Sequence, residues 1–289
     1  MKKVDFFIVG APKSGTTSLY YYLNEHIDIE MSSQKEPDFF SDQSLQKKKL
    51  YYSKKRIDTI EKYHSLFQQK NTILRGDASV SYLFYEDVPG KIIEYNPDAK
   101  IIIMLRNPID RAFSHYLMDY ALGLISESFD SIVRQKSLHK NNNLFYQQYI
   151  RVGEYTNQVK RYIEIFNRKN IFFIDYENFK NNTSDIVNSV FIFLGLNNDF
   201  EPDLKKKHNV YRAPKNMLIR HVYSYVFFRK MLAKILPKKM IEIIRNFVFQ
   251  NGKKPKISAS TRDILKKHFK SDVQELSILL NKDFSKWIR

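Results

Sequence analysis

The chain has 289 residues, of which 43% are aliphatic or aromatic and none is cysteine, so it is large enough for one α/β domain and excludes disulfides, thiolate metal sites and cysteine nucleophiles. Its net charge of +17 is uneven: residues 1–200 hold 26 Lys+Arg against 24 Asp+Glu, whereas residues 201–289 hold 22 against 7. A field gathered in the last third steers anions, and an acidic glycan, a nucleotide, nucleic acid or an anionic membrane are its candidate partners beside a plain solvated surface.

The first predicted element is a strand over Val4–Val9, which breaks at Gly10 into Ala11-Pro12-Lys13-Ser14-Gly15-Thr16-Thr17-Ser18 and then becomes a helix over Thr16–Asn24. Preceded by Asp5 and ended by Gly10, the apolar run is too short for a secretory core, and no segment approaches the ~18 apolar residues of a membrane span. A strand, a glycine-bearing loop and a helix N-terminus together aim backbone N–H groups and the positive end of the helix dipole at an anion, with Lys13 beside them. Gly10 and Gly15 keep the GxxxxG spacing of a nucleotide-triphosphate loop, but Lys13 precedes the second glycine where that loop needs Lys-Ser/Thr after it. The geometry that handles a metal-bound γ-phosphate is therefore missing, which disfavours a kinase or ATPase. A plain strand-to-helix turn is the bland alternative.

Further strands are expected at Thr72–Leu74, Lys100–Leu105 and Asn170–Asp175, and helices at Pro108–Leu122, Tyr155–Phe166 and Thr183–Leu194, with Thr183 as N-cap and Gly195 as the stop. Strands alternating with helices predict a central parallel sheet flanked by helices, P-loop-like, with ligands at the strands' carboxyl ends. One domain over residues 1–289 is expected, with a mostly helical basic subregion from about 205 to 289.

Arg106 leaves the third of these strands, Pro108 suits a first helical turn, and Ser114 follows about two turns in. Arg106 offers a bidentate fork for a second phosphate, which the Ser114 hydroxyl could share. Arg111 has Asp110 and Asp119 as candidate surface partners. Downstream, Leu218–Phe249 mixes aromatics with lysine and arginine, divided at Pro237 into two helices. A wall of an acceptor cleft is its first reading, a basic aromatic element on a membrane surface the second, and nucleic-acid binding the last, since no recognised module accompanies the charge.

Together, PKSGTTSL at Pro12–Leu19 and LRNPIDRAFSHY at Leu105–Tyr116 resemble the cofactor-binding elements of sulfotransferases that use 3′-phosphoadenosine 5′-phosphosulfate (PAPS). The likeness continues through Lys35-Glu36-Pro37-Asp38-Phe39-Phe40, Gly76–Leu83 and Asp283–Trp287, nearly the whole chain, and is greatest to the heparan-sulfate-type branch and its bacterial relatives. The resemblance implies transfer of a sulfuryl group to a hydroxyl or amine, releasing adenosine 3′,5′-bisphosphate (PAP), with no metal required. It implies that Lys13 and the N–H groups from Ser14 to Ser18 meet charge on the leaving 5′-phosphate and that Arg106 and Ser114 hold the 3′-phosphate. Glu36 is the implied base, its pKa raised by Pro37, Phe39 and Phe40. On residue chemistry alone Glu36 reads first as a loop charge paired with Lys35 or an arginine; His64 and His115 are alternative bases.

Ala78 stands where the animal heparan sulfate enzymes carry a lysine beside the glutamate, so the charge partner of Glu36 must come from elsewhere. Lys205–Asn216 resembles the basic loop that closes over the nucleotide, with Arg212 and Lys215 as donor contacts. The expected function is a PAPS-dependent sulfotransferase acting on a glycan or glycan-bearing small molecule, in the cytoplasm or peripheral at the membrane. A P-loop kinase and a non-enzymatic basic anion-binding protein are the alternatives.

Overall fold

A computed structural model of the chain describes residues 2–48, 56–68, 72–197, 200–204, 213–214, 240, 249–250 and 255–289. Five strands form one sheet, β1 (Phe6–Gly10), β2 (Ile29–Met31), β3 (Leu74–Asp77), β4 (Lys100–Leu105) and β5 (Ile171–Asp175), in the order β2-β3-β1-β4-β5. Every pairing is parallel. Period-2 geometry divides their apolar runs between two cores. Phe7, Val9, Ile101, Ile103 and Leu105 enter one. Phe6, Ile8, Ile102 and Met104 enter the other.

The helices in chain order are α1 (Thr16–Asn24), α2 (Asp42–Lys48), α3 (Ile60–His64), α4 (Val88–Tyr95), α5 (Pro108–Ala121), α6 (Phe129–Val133), α7 (Asn142–Tyr149), α8 (Tyr155–Ile165), α9 (Tyr176–Asn181), α10 (Thr183–Leu194) and, near the end, α11 (Ala259–Leu280). Leu19 and Leu23 of α1 with Val187, Val190 and Phe191 of α10 cover the Phe6 face of the sheet. Helices α4, α5, α8 and α11 cover the other with Ile92, Ala112, Val159 and Phe269 among their contributions. The strand–helix alternation expected of the sequence is thus the architecture found, with a long basic C-terminal helix.

Several bounds shift by one or two residues, β1 being found at Phe6–Gly10 against Val4–Val9, and two differences have a specific physical cause. The strand expected at Thr72–Leu74 is shifted to Leu74–Asp77, across Gly76, where any side chain would run into the Phe6 ring and the Met31 sulfur, so the close packing of β3 itself needs glycine. Thr183 does not cap α10: Asn182 holds that position, and the Thr183 hydroxyl donates back to Phe179 O at 2.8 Å. Gly195 does end the helix, with φ 88°. Strand β2 has no counterpart in the expectations, being three residues long with Glu30 at its centre; Arg75 on β3 answers that carboxylate at 3.3 Å.

The C-terminal helix is structural support for the opposite end of the domain. Phe269, Val273 and Leu276 pack into the Phe7-side core, and Asp272 accepts from Tyr155 N at 2.7 Å and Thr156 N at 3.0 Å, capping α8. Asn107 donates to Trp287 O at 3.0 Å, tying the chain's end to the turn after β4. Ala213–Pro214 and Phe249–Gln250 pair as a short antiparallel ladder. The expected helix pair around Pro237 lies outside the described residues, among which no helix is long and apolar enough to cross a membrane.

Asp272→Ala leaves the N–H groups of Tyr155 and Thr156 without their acceptor, and is expected to lower unfolding free energy by about 1–2 kcal/mol. A urea titration followed by circular dichroism checks this; a midpoint equal to the parent's would show that the cap carries no stability.

Candidate active site

Strand order makes β1 and β4 neighbours, with Gly10 opposite Ile103, and the connection after β1 leads away from the connection after β4. The carboxyl ends of such a pair leave a crevice between the two turns, the place where open α/β sheets bind ligands. Ala11 N donates to Met104 O at 2.7 Å, so the loop after β1 begins pinned to β4.

That loop reverses through left-handed backbone at Lys13 (φ 68°) and Gly15 (φ 90°). A Cβ on Gly15 would press to 3.2 Å from Tyr176 and 3.3 Å from Phe179 besides facing that strained φ, so glycine is required there. Gly15 is the N-cap of α1 without any side-chain cap, and the first turn of α1 has no acidic residue. Ser14 N donates to Ala11 O (3.3 Å) and Ser18 N to Gly15 O (3.0 Å), so of the five expected N–H donors the loop uses two itself. Those of Gly15, Thr16 and Thr17 have no backbone acceptor among the described residues, as a helix start dictates. Ser14 contributes through its side chain instead: its hydroxyl is fully buried with no hydrogen-bond partner. Thr16 is buried, while Thr17 and Ser18 are partly exposed.

Arg106 joins this loop to the second element. Its Nη1 donates to Lys13 O at 2.9 Å, its guanidinium lies over the Tyr176 ring at 4.4 Å, and Tyr155 OH donates to its carbonyl at 3.0 Å. With Nη1 committed, the Nε–Nη2 edge is the fork that remains, and Nε is buried without a partner. Helix α5 starts at Pro108, capped by the Asn107 side chain, which accepts from Ile109 N at 2.9 Å. Ser114 therefore stands on the same face as Met118, one turn on, whose sulfur is 3.3 Å from Lys13 Nζ. Orphaned Ser14 Oγ and Arg106 Nε, an uncapped helix start and no acidic residue in its first turn fit a ligand carrying two separate phosphate-like anions.

Glu36 sits on a loop with two left-handed residues, Glu36 (φ 57°) and Asp38 (φ 56°), and Lys35 Nζ donates to Glu36 Oε1 at 2.6 Å. Glu36 is thus paired with Lys35, the pairing its residue chemistry alone suggests, and Ala78 is buried in the Phe6-side core. Below the loop lies a residue of the Gly76–Leu83 segment to which the sequence assigned no role. Asp77, fully buried, accepts from Tyr63 OH (2.8 Å), Tyr82 OH (2.9 Å) and Ser79 Oγ (2.8 Å), and burial raises its pKa to about 7 against the opposing pull of these hydroxyls. Tyr176 was likewise unmarked in the sequence; an aromatic straight after a strand has no pattern of its own.

His115 is buried on α5. Burial first, then Arg111 and Lys13, hold its pKa well below the ordinary value while Glu36 pulls the other way, so it stays neutral. Lys13 and Glu36 both lie near enough to His115 to act on its charge. Arg111 is not a surface residue: it is fully buried and donates to the carbonyls of Gln148 and Tyr149, while Asp110 pairs with Arg262 at 2.8 Å. A helix face turned into the core, rather than local charge pattern, decides this. His64 packs instead against Tyr95, Nε2 to OH 2.9 Å, with its pKa lowered by burial. Arg212 and Lys215 lie outside the described residues.

Over residues 3–277 the chain matches the sulfotransferase domain family, and it belongs to that family of enzymes. A sulfotransferase from Alicyclobacillus acidocaldarius has a similar structure, with a TM-score of 0.73 and 29% identity over 100% of both chains. Human carbohydrate sulfotransferase 15 is 24% identical over 66% of this chain and 43% of its own length. The bifunctional heparan sulfate N-deacetylase/N-sulfotransferase 1 of Caenorhabditis briggsae is 24% identical over 66% of this chain and 22% of its own length. The chain therefore spans less than half the length of these two relatives.

Because the folded pKa of Asp77 is about 7 and the unfolded value is about 3.9, the folded state holds an extra proton between these pH values. Its contribution to stability is greatest below about pH 4, falls as pH rises to about 7 and is level beyond. Melting temperatures of the parent and Asp77→Asn across pH 4–8 are expected to differ by a curve with this downward slope; a flat difference would show that the carboxyl titrates normally.

Proposed function

We propose that the protein moves a sulfuryl group from PAPS to a hydroxyl or amine of a glycan, with Lys13 on the leaving group and Glu36 as the base. The observation that carries this reading is the Arg106–Lys13 hydrogen bond, 2.9 Å, which joins two anion-binding elements across β1 and β4. A donor with a 5′-phosphosulfate and a 3′-phosphate needs two such elements at a set separation; a γ-phosphate site needs one, with a lysine placed after the second glycine.

The donor supplies an activated sulfuryl group on a phosphate leaving group. Lys13 Nζ and the N–H groups of Gly15, Thr16 and Thr17 meet the negative charge that gathers on that phosphate, from a frame already rigid before reaction. The buried Ser14 hydroxyl gives one further donor. Arg106, held flat on Tyr176, offers its Nε–Nη2 edge to the 3′-phosphate, and Ser114 adds a hydroxyl; together they set the donor's register. Glu36 takes the proton from the acceptor. Lys35 at 2.6 Å favours the ionised, proton-accepting carboxylate and takes the place of the cation absent at Ala78. His115, neutral and buried, is too weak a base for that task and keeps the neighbourhood of Lys13 free of a further cation. The glycan acceptor is supported by the names of the human and nematode relatives.

Calorimetry is expected to show binding of PAP and none of ATP; the reverse would return the chain to the kinase class. Lys13→Ala and Arg106→Ala are expected to abolish donor use, and Glu36→Gln to keep PAP affinity while losing about 10²–10⁴ in turnover. Full activity of Glu36→Gln would remove it as the base. Mass detection of the added sulfuryl group over a panel of amine- and hydroxyl-bearing oligosaccharides identifies the acceptor class.

A further inference from the structure

We propose that Asp77 is a positioning residue for this transfer: through Ser79, Tyr82 and Tyr63 its carboxylate holds the left-handed turn that carries Glu36. The inference rests on the reading of Glu36 as the base.

A fully buried carboxylate with no cation among its hydrogen-bonding partners is a costly thing to keep in a core, and an apolar residue would fill the same space without that cost. What it does here is set direction. In its ionised form, which prevails above about pH 7, the carboxylate only accepts, so each hydroxyl around it then donates inward and its lone pairs face outward. Two of those lone pairs meet the N–H groups of the Glu36 loop. Ser79 Oγ donates to Asp77 Oδ1 at 2.8 Å and accepts from Asp38 N at 3.0 Å. Tyr82 OH donates to Asp77 Oδ2 at 2.9 Å and accepts from Phe40 N at 3.3 Å. The third donor, Tyr63, stacks its ring on Phe39 at 4.6 Å and 11°. Three supports of residues 38–40 therefore converge on one side chain.

The loop needs such support. Glu36 and Asp38 both carry a Cβ in left-handed backbone, a conformation that persists only where the surroundings over-determine it. A second grip comes from Ser81, whose hydroxyl donates to Asp38 Oδ1 at 2.6 Å. Asparagine at position 77 is the same shape but has one oxygen and one N–H donor group. With the amide N–H group at the Oδ1 position the Ser79 proton loses its acceptor, and at the Oδ2 position those of Tyr63 and Tyr82 lose theirs, so the polarity of the set breaks while the volume stays.

The test uses the full chain with PAPS and a chitosan oligosaccharide, which offers both amines and hydroxyls, or water as acceptor where that is inert; turnover is read as PAP release. Asp77→Asn and Ser79→Ala are each expected to keep PAP affinity and donor KM within about twofold while kcat falls by about ten- to a hundredfold. In a Glu36→Gln background the same substitutions are expected to change kcat by less than about twofold, since they act through Glu36. Parental kcat in Asp77→Asn, PAP affinity lost in step with kcat, or a full further loss in the Glu36→Gln background would each overturn the proposal. If Asp77→Asn does not fold, Ser79→Ala decides by the same readouts. An active Glu36→Gln overturns the reading of Glu36 and this inference with it; an inactive Glu36→Gln beside an unaffected Asp77→Asn overturns this inference alone.

Discussion

The parallel pairing of β1 with β4 is the constraint on which the site depends. It brings together two turns 93 residues apart, and both are electropositive: one is a helix start with Lys13, the other a guanidinium. Like charges held this close repel, and the fold offsets the repulsion by giving Arg106 a carbonyl, Lys13 O, and an aromatic face, Tyr176. The carboxylate nearest in sequence on α5, Asp110, is drawn away to Arg262. What remains is a crevice with two orphaned buried donors, Ser14 Oγ and Arg106 Nε, a chemistry that suits an anion.

The surroundings of Glu36 are built on a different principle. There the chain holds a carboxylate in place by hydroxyls and aromatic rings: Tyr63, Tyr82, Phe39 and Phe40 lie about Asp77, with Phe40 and Tyr82 centroids 5.7 Å apart. Glu36 itself is half-buried and pairs with Lys35. The loop after β1 is thus organised by N–H groups and cations, and the neighbouring loop by burial around a carboxylate.

Much of this was legible in the residues. Helix α1 and strand β4 have the bounds their patterns predict, because Gly15 ends the loop directly before α1 and the apolar run Ile101–Leu105 lies between Lys100 and Arg106. Strand β2 was not legible, since three residues centred on a charge carry no periodicity, and its pairing rather than its pattern makes it a strand. The burial of Arg111 was hidden for a similar reason: next to Asp110 and eight residues before Asp119 it reads as a surface charge until α7 arrives to cover that face. Asp77, though inside the Gly76–Leu83 segment, and Tyr176 had no role assigned from the sequence, and their neighbours in the fold set their surroundings.

The sequence by itself determined the local pieces: an anion-binding turn with its lysine displaced from the triphosphate position, an arginine leaving a strand, and a glutamate between a lysine and a proline. These follow from chirality, helix geometry and side-chain chemistry, which act over a few residues. The tertiary structure decided what lies beside what. That Arg106 reaches the Lys13 carbonyl, that Arg111 is buried under the end of α7, and that one buried carboxylate gathers three supports of residues 38–40 all depend on contacts between distant segments. Such contacts are chosen by strand order and core packing, and neither is encoded in any single stretch of chain.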